Sequence, residues 1–261
     1  MIHLRTREEM DVIARGGAII ANLISELDGW IEAGHSTKDV DLFCDEFIVS
    51  HDGATPAFKG LYGFKGSVCT SVNEEVVHGI PDRKKVLKNG DIITVDMGVK
   101  LDGWCSDSAW TFAVGEISSD VQALLDITLE SLSAAIAAAK AGNHVGDIGA
   151  AVVATCSGTS YGIIRDLVGH GIGREVHEEP QIPNVGRAGQ GPELQEGMVI
   201  AIEPMISAGS MRIRTLSDGW TVVPADGSMS AHFEHTVGIT ANGPRILTSV
   251  PTGVSAEVGT S

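Results

Sequence analysis

Apolar residues recur at helical intervals over the first thirty positions. Met10, Ile13, Gly17, Ile20, Ile24 and Leu27 fall on one stripe. Thr6-Arg7-Glu8-Glu9 before them has the spacing of a capping box, in which the Thr and Glu side chains satisfy each other's free backbone N–H groups. The pattern predicts an amphipathic helix running toward Gly34. Ser36 with Asp39 opens a second, with Val40, Phe43 and Phe47 on its buried side and Asp52-Gly53 as its stop. After a glycine-rich loop at 60–66 the period changes to that of strands, predicted at 67–72, at 76–81 and through 91–107, DIITVDMGVKLDGWCSD. Ile92, Ile93, Val95 and Val99 favour a strand and Lys100-Leu101-Asp102-Gly103 favours a turn, so 91–107 reads as a hairpin. Two registers are open. A four-residue loop over 100–103 sets Asp96 opposite Asp107, with β-carbons about 5 Å apart. A two-residue turn at Asp102-Gly103 makes them diagonal neighbours. Side chains alternate with period two, so either register puts both carboxylates on one face.

The order of elements then repeats. A Leu- and Ala-rich helix begins at Ser119 and Gln122 and ends at Gly142, another covers 146–156, and strands follow from Ile163. LKNGDIITVD at 87–96 aligns without gaps to LQEGMVIAIE at 194–203, with Leu, Gly and the terminal carboxylate matched. His78-Gly79-Ile80-Pro81 upstream of the first copy resembles His170-Gly171-Ile172-Gly173 upstream of the second. We read an internal duplication, α/β in class, whose halves at 1–117 and 118–250 each carry a carboxylate to the end of the same strand. Residues 251–261 have few large apolar side chains and are expected to be a disordered tail.

Composition narrows the class. A chain of 261 residues with 43% hydrophobic content has ample length for a buried core. With 34 acidic against 18 basic residues and a net charge of −16, a DNA-binding or anionic-membrane surface is disfavoured. The most apolar stretch, 121–140, contains Asp126 and Glu130, and the N-terminus lacks a signal-peptide pattern, so no membrane partner and a cytoplasmic location are expected. Cys44, Cys69, Cys105 and Cys156 are widely spaced and make no C-x-x-C pair, which fits reduced thiols.

Two carboxylates as close as Asp96 and Asp107 repel unless a cation lies between them. His170, Glu203 and Glu234 also stand in strand or loop contexts, and the five together form a hard, oxygen-rich donor set suited to two divalent ions. Each alone has an ordinary reading: His170 as a loop histidine, Glu203 as a strand cap before Pro204, Glu234 as part of an exposed strand. Five on the strands and loops of a duplicated fold point to a metal site.

The strings VCTSVNEEVVHGIPD, ITVDMGVKLDGWCSD, GHGIGREVHEEPQIPN, GMVIAIEPM and FEHTV resemble those of the type I methionine aminopeptidases, and the likeness runs from about Thr6 to Leu247. The resemblance implies the pita-bread fold, two pseudo-symmetric α/β halves around a dinuclear metal site, and removal of the initiator methionine from nascent polypeptides. It implies that Asp96 chelates one ion, that His170 and Glu203 hold the other, and that Asp107 and Glu234 bridge both, the ions being Co, Mn, Fe, Zn or Ni. Glu203 would shuttle the proton of the attacking water. His78 would lie near the scissile amide, and His177 would donate to the scissile carbonyl. The methionine pocket would use Cys69, Phe64 and Trp220, with Leu61 and Val176 where bacterial relatives commonly carry aromatics. Asn73 and Ser230 resemble a monovalent-cation site, with a structural polar role as the alternative. The basic cluster Arg83, Lys84, Lys85 and Lys88 would suit an approach to the ribosome, with a solvated turn as the alternative. A monomer is the simplest assembly.

Other classes fit less well. Gly158-Thr159-Ser160-Tyr161-Gly162 matches G-x-S-x-G, but a helical pattern precedes it and a strand pattern follows, the reverse of a nucleophile elbow. His177-Glu178-Glu179 lacks the second histidine of a zincin, and Gly169, Gly171 and Gly173 do not make a dinucleotide-binding loop. The nearer rivals are a prolidase or aminopeptidase P, which share the ligand types and usually carry an extra N-terminal domain, and a binding-only relative, against which stands the presence of every ligand and both histidines.

Overall fold

The computed structural model describes residues 1–249; Val250 and the tail expected to be disordered lie outside the described residues. The chain opens with α1 (Arg7–Trp30) and α2 (Thr37–Val49). Both helices start at the expected capping boxes, Thr6 with Glu9 and Ser36 with Asp39. α1 stops short of Gly34 because Ile31 turns extended, and α2 stops before Asp52. Four strands follow, β1 (Thr55–Pro56), β2 (Cys69–Val72), β3 (Ile92–Leu101) and β4 (Trp104–Ala113), in one antiparallel sheet ordered β1-β3-β2 with β4 on β3. No strand forms over 76–81: Val77 makes a single bridge to Val222, and His78 takes a left-handed φ of 61° that breaks the pleat.

The second set repeats the plan with α3 (Ser119–Ala138) and α4 (Val145–Thr155). Its strands are β5 (Gly162–Ile163), β6 (Val168–Gly171), β7 (Glu178–Pro183), β8 (Val199–Ile202), β9 (Met205–Ser207), β10 (Ile213–Thr215), β11 (Val222–Pro224), β12 (Ser230–His232), β13 (His235–Thr240) and β14 (Gly243–Ile246). The larger sheet runs β14-β13-β8-β6-β7. α3 is long and apolar enough, by length and composition, to cross a membrane. Leu124, Leu125, Leu132 and Ile136 are nevertheless spent on the core, buried with α4 and with Ile200, Ile202 and Val237 of the sheet. α1 and α2 cover the first sheet in the same way, with Ile20, Leu23, Ile24 and Leu27 fully buried. Each such side chain stabilises the fold by about 1.5–3 kcal/mol relative to exposure.

The duplication read from 87–96 and 194–203 extends to the backbone. Leu87 and Leu194 are both buried, and Gly90 and Gly197 both adopt left-handed φ values, 94° and 99°. Leu87 N donates to His35 O and Leu194 N to Asn143 O, while Gly34 N and Gly142 N donate to the two leucine carbonyls in return. The residues that begin α2 and α4, Ser36 and His144, form matching single bridges to Val86 and Glu193. One difference from expectation is that Asp96 lies in the middle of β3, whereas Glu203 follows directly on the end of β8.

Candidate metal centre and active site

The hairpin closes through Asp102 and Gly103, both left-handed at φ 51° and 75°, the geometry of a two-residue turn that matches strand twist. Leu101 therefore faces Trp104, Gly98 faces Asp107 and Asp96 faces Ala109, so the two aspartates are diagonal neighbours on one face. Strand β4 then meets the second set of elements edge to edge. Thr236 Oγ1 accepts from Asp107 N at 3.0 Å and donates to Asp107 O at 2.7 Å. Ser108 Oγ donates to Glu234 O at 2.5 Å, and Glu234 N donates to Ala109 O at 2.9 Å. Thr111 Oγ1 clasps both backbone groups of His232. These bonds tie the strand bearing Asp107 to the segment bearing Glu234.

Asp107, His170 and Glu234 each present a ligand atom, all within 4.8 Å of one another. His170 Nε2 lies 3.9 Å from Asp107 Oδ2 and 3.6 Å from Glu203 Oε1. Asp96 Oδ1, Asp107 Oδ1 and Glu234 Oε1 are removed from water without a hydrogen-bond partner. Burial pushes the Asp96 carboxyl up to about 7. Burial, then the charges of Asp96 and Glu203, holds Asp107 well above the usual carboxylate range, while burial and then Asp96 do the same to Glu203. Glu234 is raised by burial and then by Asp107. Orphaned buried oxygens and mutual repulsion among four carboxylates are what a bound dication relieves, and this donor set fits hard divalent ions. His170 is prepared as a ligand: its Nδ1 lies 3.0 Å from Gly171 O, which holds the proton there and turns the Nε2 lone pair to the carboxylates. Burial, followed by the neighbouring His177, keeps it neutral by lowering its pKa to about 4.

Beside this cluster lies a cavity of about 530 Å³. Asp96, Asp107, Glu203 and Glu234 line one end, and Phe64, Cys69, Leu61 and Trp220 line the apolar part, as expected for each. His78 and His177 line it as well. His177 stacks edge-on against His170 with ring centroids 4.5 Å apart, and His78 sits edge-on to Trp220 at 6.4 Å. Burial lowers the pKa of both, so each is neutral near pH 7.

Val176 departs from expectation. It does not line the cavity but is buried behind the wall with Trp104, Cys105 and Ile172, because its neighbour His177 takes the cavity side. Phe58, Tyr62, Val77, Leu167 and Met205 add apolar and aromatic wall that was not expected, and Val168, Gly169, Glu178, Glu179 and Gln181 complete the lining with a more polar stretch. Tyr62 and Phe58 sit in irregular backbone, where no periodicity marks a facing residue. His232 was also missed, although it stands two residues before Glu234, the spacing that returns a side chain to the same face of an extended chain. It is 1% exposed, with Nε2 3.8 Å from Glu234 Oε2 and 3.9 Å from Glu203 Oε2. Asn73 and Ser230 do meet: Ser230 N donates to Asn73 O, and Ser230 Oγ is buried without a partner. The G-x-S-x-G string lies between α4 and β5, so Ser160 follows a helix and precedes a strand.

A paired α/β scaffold holding buried carboxylates and an imidazole beside a cavity makes this a candidate metal centre. The family model "Metallopeptidase family M24" matches residues 11–241, and the chain belongs to that family. Its fold is the pita-bread fold, α/β in class, with two pseudo-symmetric halves around antiparallel sheet. It is 48% identical over 250 residues to a methionine aminopeptidase of Clostridium perfringens, covering 96% of this chain and all of that protein. The crystal structure of a methionine aminopeptidase from Thermotoga maritima matches with a TM-score of 0.93 and 44% identity, over 95% of this chain and all of that one. A prolidase from Pyrococcus furiosus shares the fold at a TM-score of 0.76 and 24% identity, over 94% of this chain and 65% of its own.

Proposed function

We propose that this chain is a metal-dependent methionine aminopeptidase that removes the initiator methionine from nascent polypeptides whose second residue is small. The observation that carries this reading is that five metal-competent side chains line a cavity that Phe58, Leu61, Phe64, Met205 and Trp220 line as well. A hydrophobic pocket takes an unbranched thioether, and the adjacent carboxylates suit the free amino terminus and the reacting amide. In this reading 1–250 is one catalytic domain with halves meeting near residue 117, acting in the cytoplasm as a monomer.

Asp96 would hold one divalent ion, His170 and Glu203 the other, with Asp107 and Glu234 shared. Bound ions would supply Lewis acidity toward the scissile carbonyl and the attacking water. Glu203 accepts the proton of that water and returns it to the departing amine, a base-then-acid role for a carboxylate lining the cavity beside His170. His177, neutral and at the open side of the cavity, donates to the carbonyl oxygen as charge develops on it. His78, against Trp220, packs near the scissile amide and leaves room for only a small second residue. A monovalent cation near Asn73 and Ser230 belongs to the same reading, supported by the unpartnered Ser230 Oγ. The basic cluster is partly engaged within the chain, Lys85 with Glu75 at 2.5 Å and Arg83 with Asp39 at 4.0 Å, which supports a solvated turn over a ribosome contact.

The test is turnover of Met-Ala-Ser against Ala-Pro-Phe by protein reconstituted with Mn, Co or Fe. Cleavage of the first alone is expected; preference for the second would instead support an aminopeptidase P.

A further inference from the structure

The candidate centre holds two imidazoles, and they are wired differently. His170 has an acceptor for its Nδ1 proton in Gly171 O, which leaves Nε2 as a lone-pair donor to a metal. His232 has no such acceptor: among the described residues neither of its ring nitrogens has a hydrogen-bond partner. Were its proton on Nδ1, a buried N–H would be orphaned, and the Nε2 lone pair would face the lone pairs of Glu203 and Glu234. With the proton on Nε2, the donor points between two carboxylate oxygens, Glu203 Oε2 at 3.9 Å and Glu234 Oε2 at 3.8 Å. These separations exceed a hydrogen bond, yet a small carboxylate rotation closes either one, and such contacts in metal-free sites are commonly long. The ring is 1% exposed, and Thr111 of β4 holds both backbone groups of the residue, at 3.1 and 2.7 Å, fixing the point from which it projects. Glu203 is thereby addressed from both sides, its Oε1 by His170 and its Oε2 by His232.

We propose that His232 is a positioning residue, not a metal ligand, whose Nε2–H donates to the Glu203 and Glu234 carboxylates and fixes which of their oxygens remain for metal. The inference rests on the metallopeptidase reading above and adds to it a residue that acts through two of the proposed ligands.

The experiment uses the full chain loaded with Zn or Co. Nitrogen-15 NMR of the Zn-loaded, histidine-labelled protein reads the tautomer directly, with the resonance assigned by its loss in His232→Gln. A proton on Nε2 of His232 and on Nδ1 of His170 is expected; a proton on Nδ1 of His232 overturns the proposal without any variant having to fold well. Co titration provides the second reading. His232→Leu, which removes the donor, should weaken metal binding about 10- to 100-fold, the range for losing a partner of a metal ligand. His232→Gln, which keeps an N–H donor, should recover most of that loss. The visible absorption of bound Co should keep its shape in both variants, because no ligand atom has been removed. A changed Co spectrum in His232→Leu would make His232 a ligand, and unchanged affinity would make it a bystander; either overturns the proposal. Failure of the unaltered chain to bind metal at all would instead sink the metallopeptidase reading, and this one with it.

Discussion

The carboxylate end of the cavity and its apolar wall are built on different principles. Asp96 and Asp107 lie within regular strands, Glu203 and Glu234 sit against strand ends, and the threonine and serine ties from β4 to 232–236 hold the backbone on both sides. Much of the wall comes from irregular segments, with Leu61, Tyr62 and Phe64 in a loop that has left-handed residues at 60, 62 and 63 and Trp220 just after a turn, while Cys69 and Met205 come from β2 and β9. Like charges can be gathered only where a rigid frame resists their repulsion, whereas apolar contacts tolerate adjustment. The four carboxylates are therefore carried on or directly beside strands, whereas much of the apolar wall is carried on loops.

This contrast predicts graded damage. Removing metal with a chelator should abolish peptidase activity, and Mn, Co or Fe should restore it; full turnover in thoroughly depleted protein would break the assignment of the rigid end to catalysis. Asp107→Ala or Glu234→Ala should lose activity beyond the roughly 100-fold typical of a residue outside the ligand set. Phe64→Ala on the wall should lose far less, and equal losses in kcat/KM would erase the distinction. His177→Ala should slow Met-Ala-Ser and Leu-Ala-Ser alike, by about 100-fold in kcat, because it acts on the developing oxyanion and not on the side chain. Leu61→Phe should instead change the Met/Leu ratio at nearly constant metal affinity, within the about 1 to 3 kcal/mol that shape differences in apolar pockets supply. An unmoved ratio would show that the loop does not select.

The smallest expected effect is on stability. In the folded, metal-free protein Asp96 keeps its proton up to about 7, whereas an unfolded aspartate loses it near pH 4. Between those values the native state binds the extra proton, so Asp96 and the raised Asp107, Glu203 and Glu234 make stability fall as pH rises, while His170, His232 and His235, kept neutral by burial, make it rise. Metal displaces those protons and should flatten the slope. Melting temperatures of chelated and loaded protein across pH 4 to 7, compared with those of Asp96→Asn, would isolate the carboxylate part, and a chelated Asp96→Asn protein with an unchanged slope would contradict it.

The same contrast explains what could be read in the sequence. Capping boxes, helix stripes and the hairpin obey local rules, so α1, α2 and the shared face of Asp96 and Asp107 were legible before any coordinates. The repeat was legible because matched Leu and Gly positions recur ahead of matched strands. The register was undecided because Lys100-Leu101-Asp102-Gly103 supports either loop length, and only Asp102 and Gly103 adopting left-handed angles settles it. Wall residues were legible only by resemblance, which misplaced Val176, since loops carry no period to say which neighbour faces inward. The strand expected at 76–81 failed for a related reason: apolar composition cannot announce that His78 will leave the pleat.

Thr248 gives the ties across β4 a further meaning. Its Oγ1 lies 2.9 Å from His235 Nδ1 and accepts from Thr236 N at 3.0 Å, while Leu247 N donates to Thr236 O. The segment that follows Glu234 is thus braced by residues translated after it, and Thr236 in turn braces Asp107, translated long before. A polypeptide interrupted anywhere ahead of this clasp lacks part of the frame around its carboxylates. Cutting the chain ahead of Leu247 should therefore loosen the frame around Asp107 and Glu234 as well as the C-terminal strands.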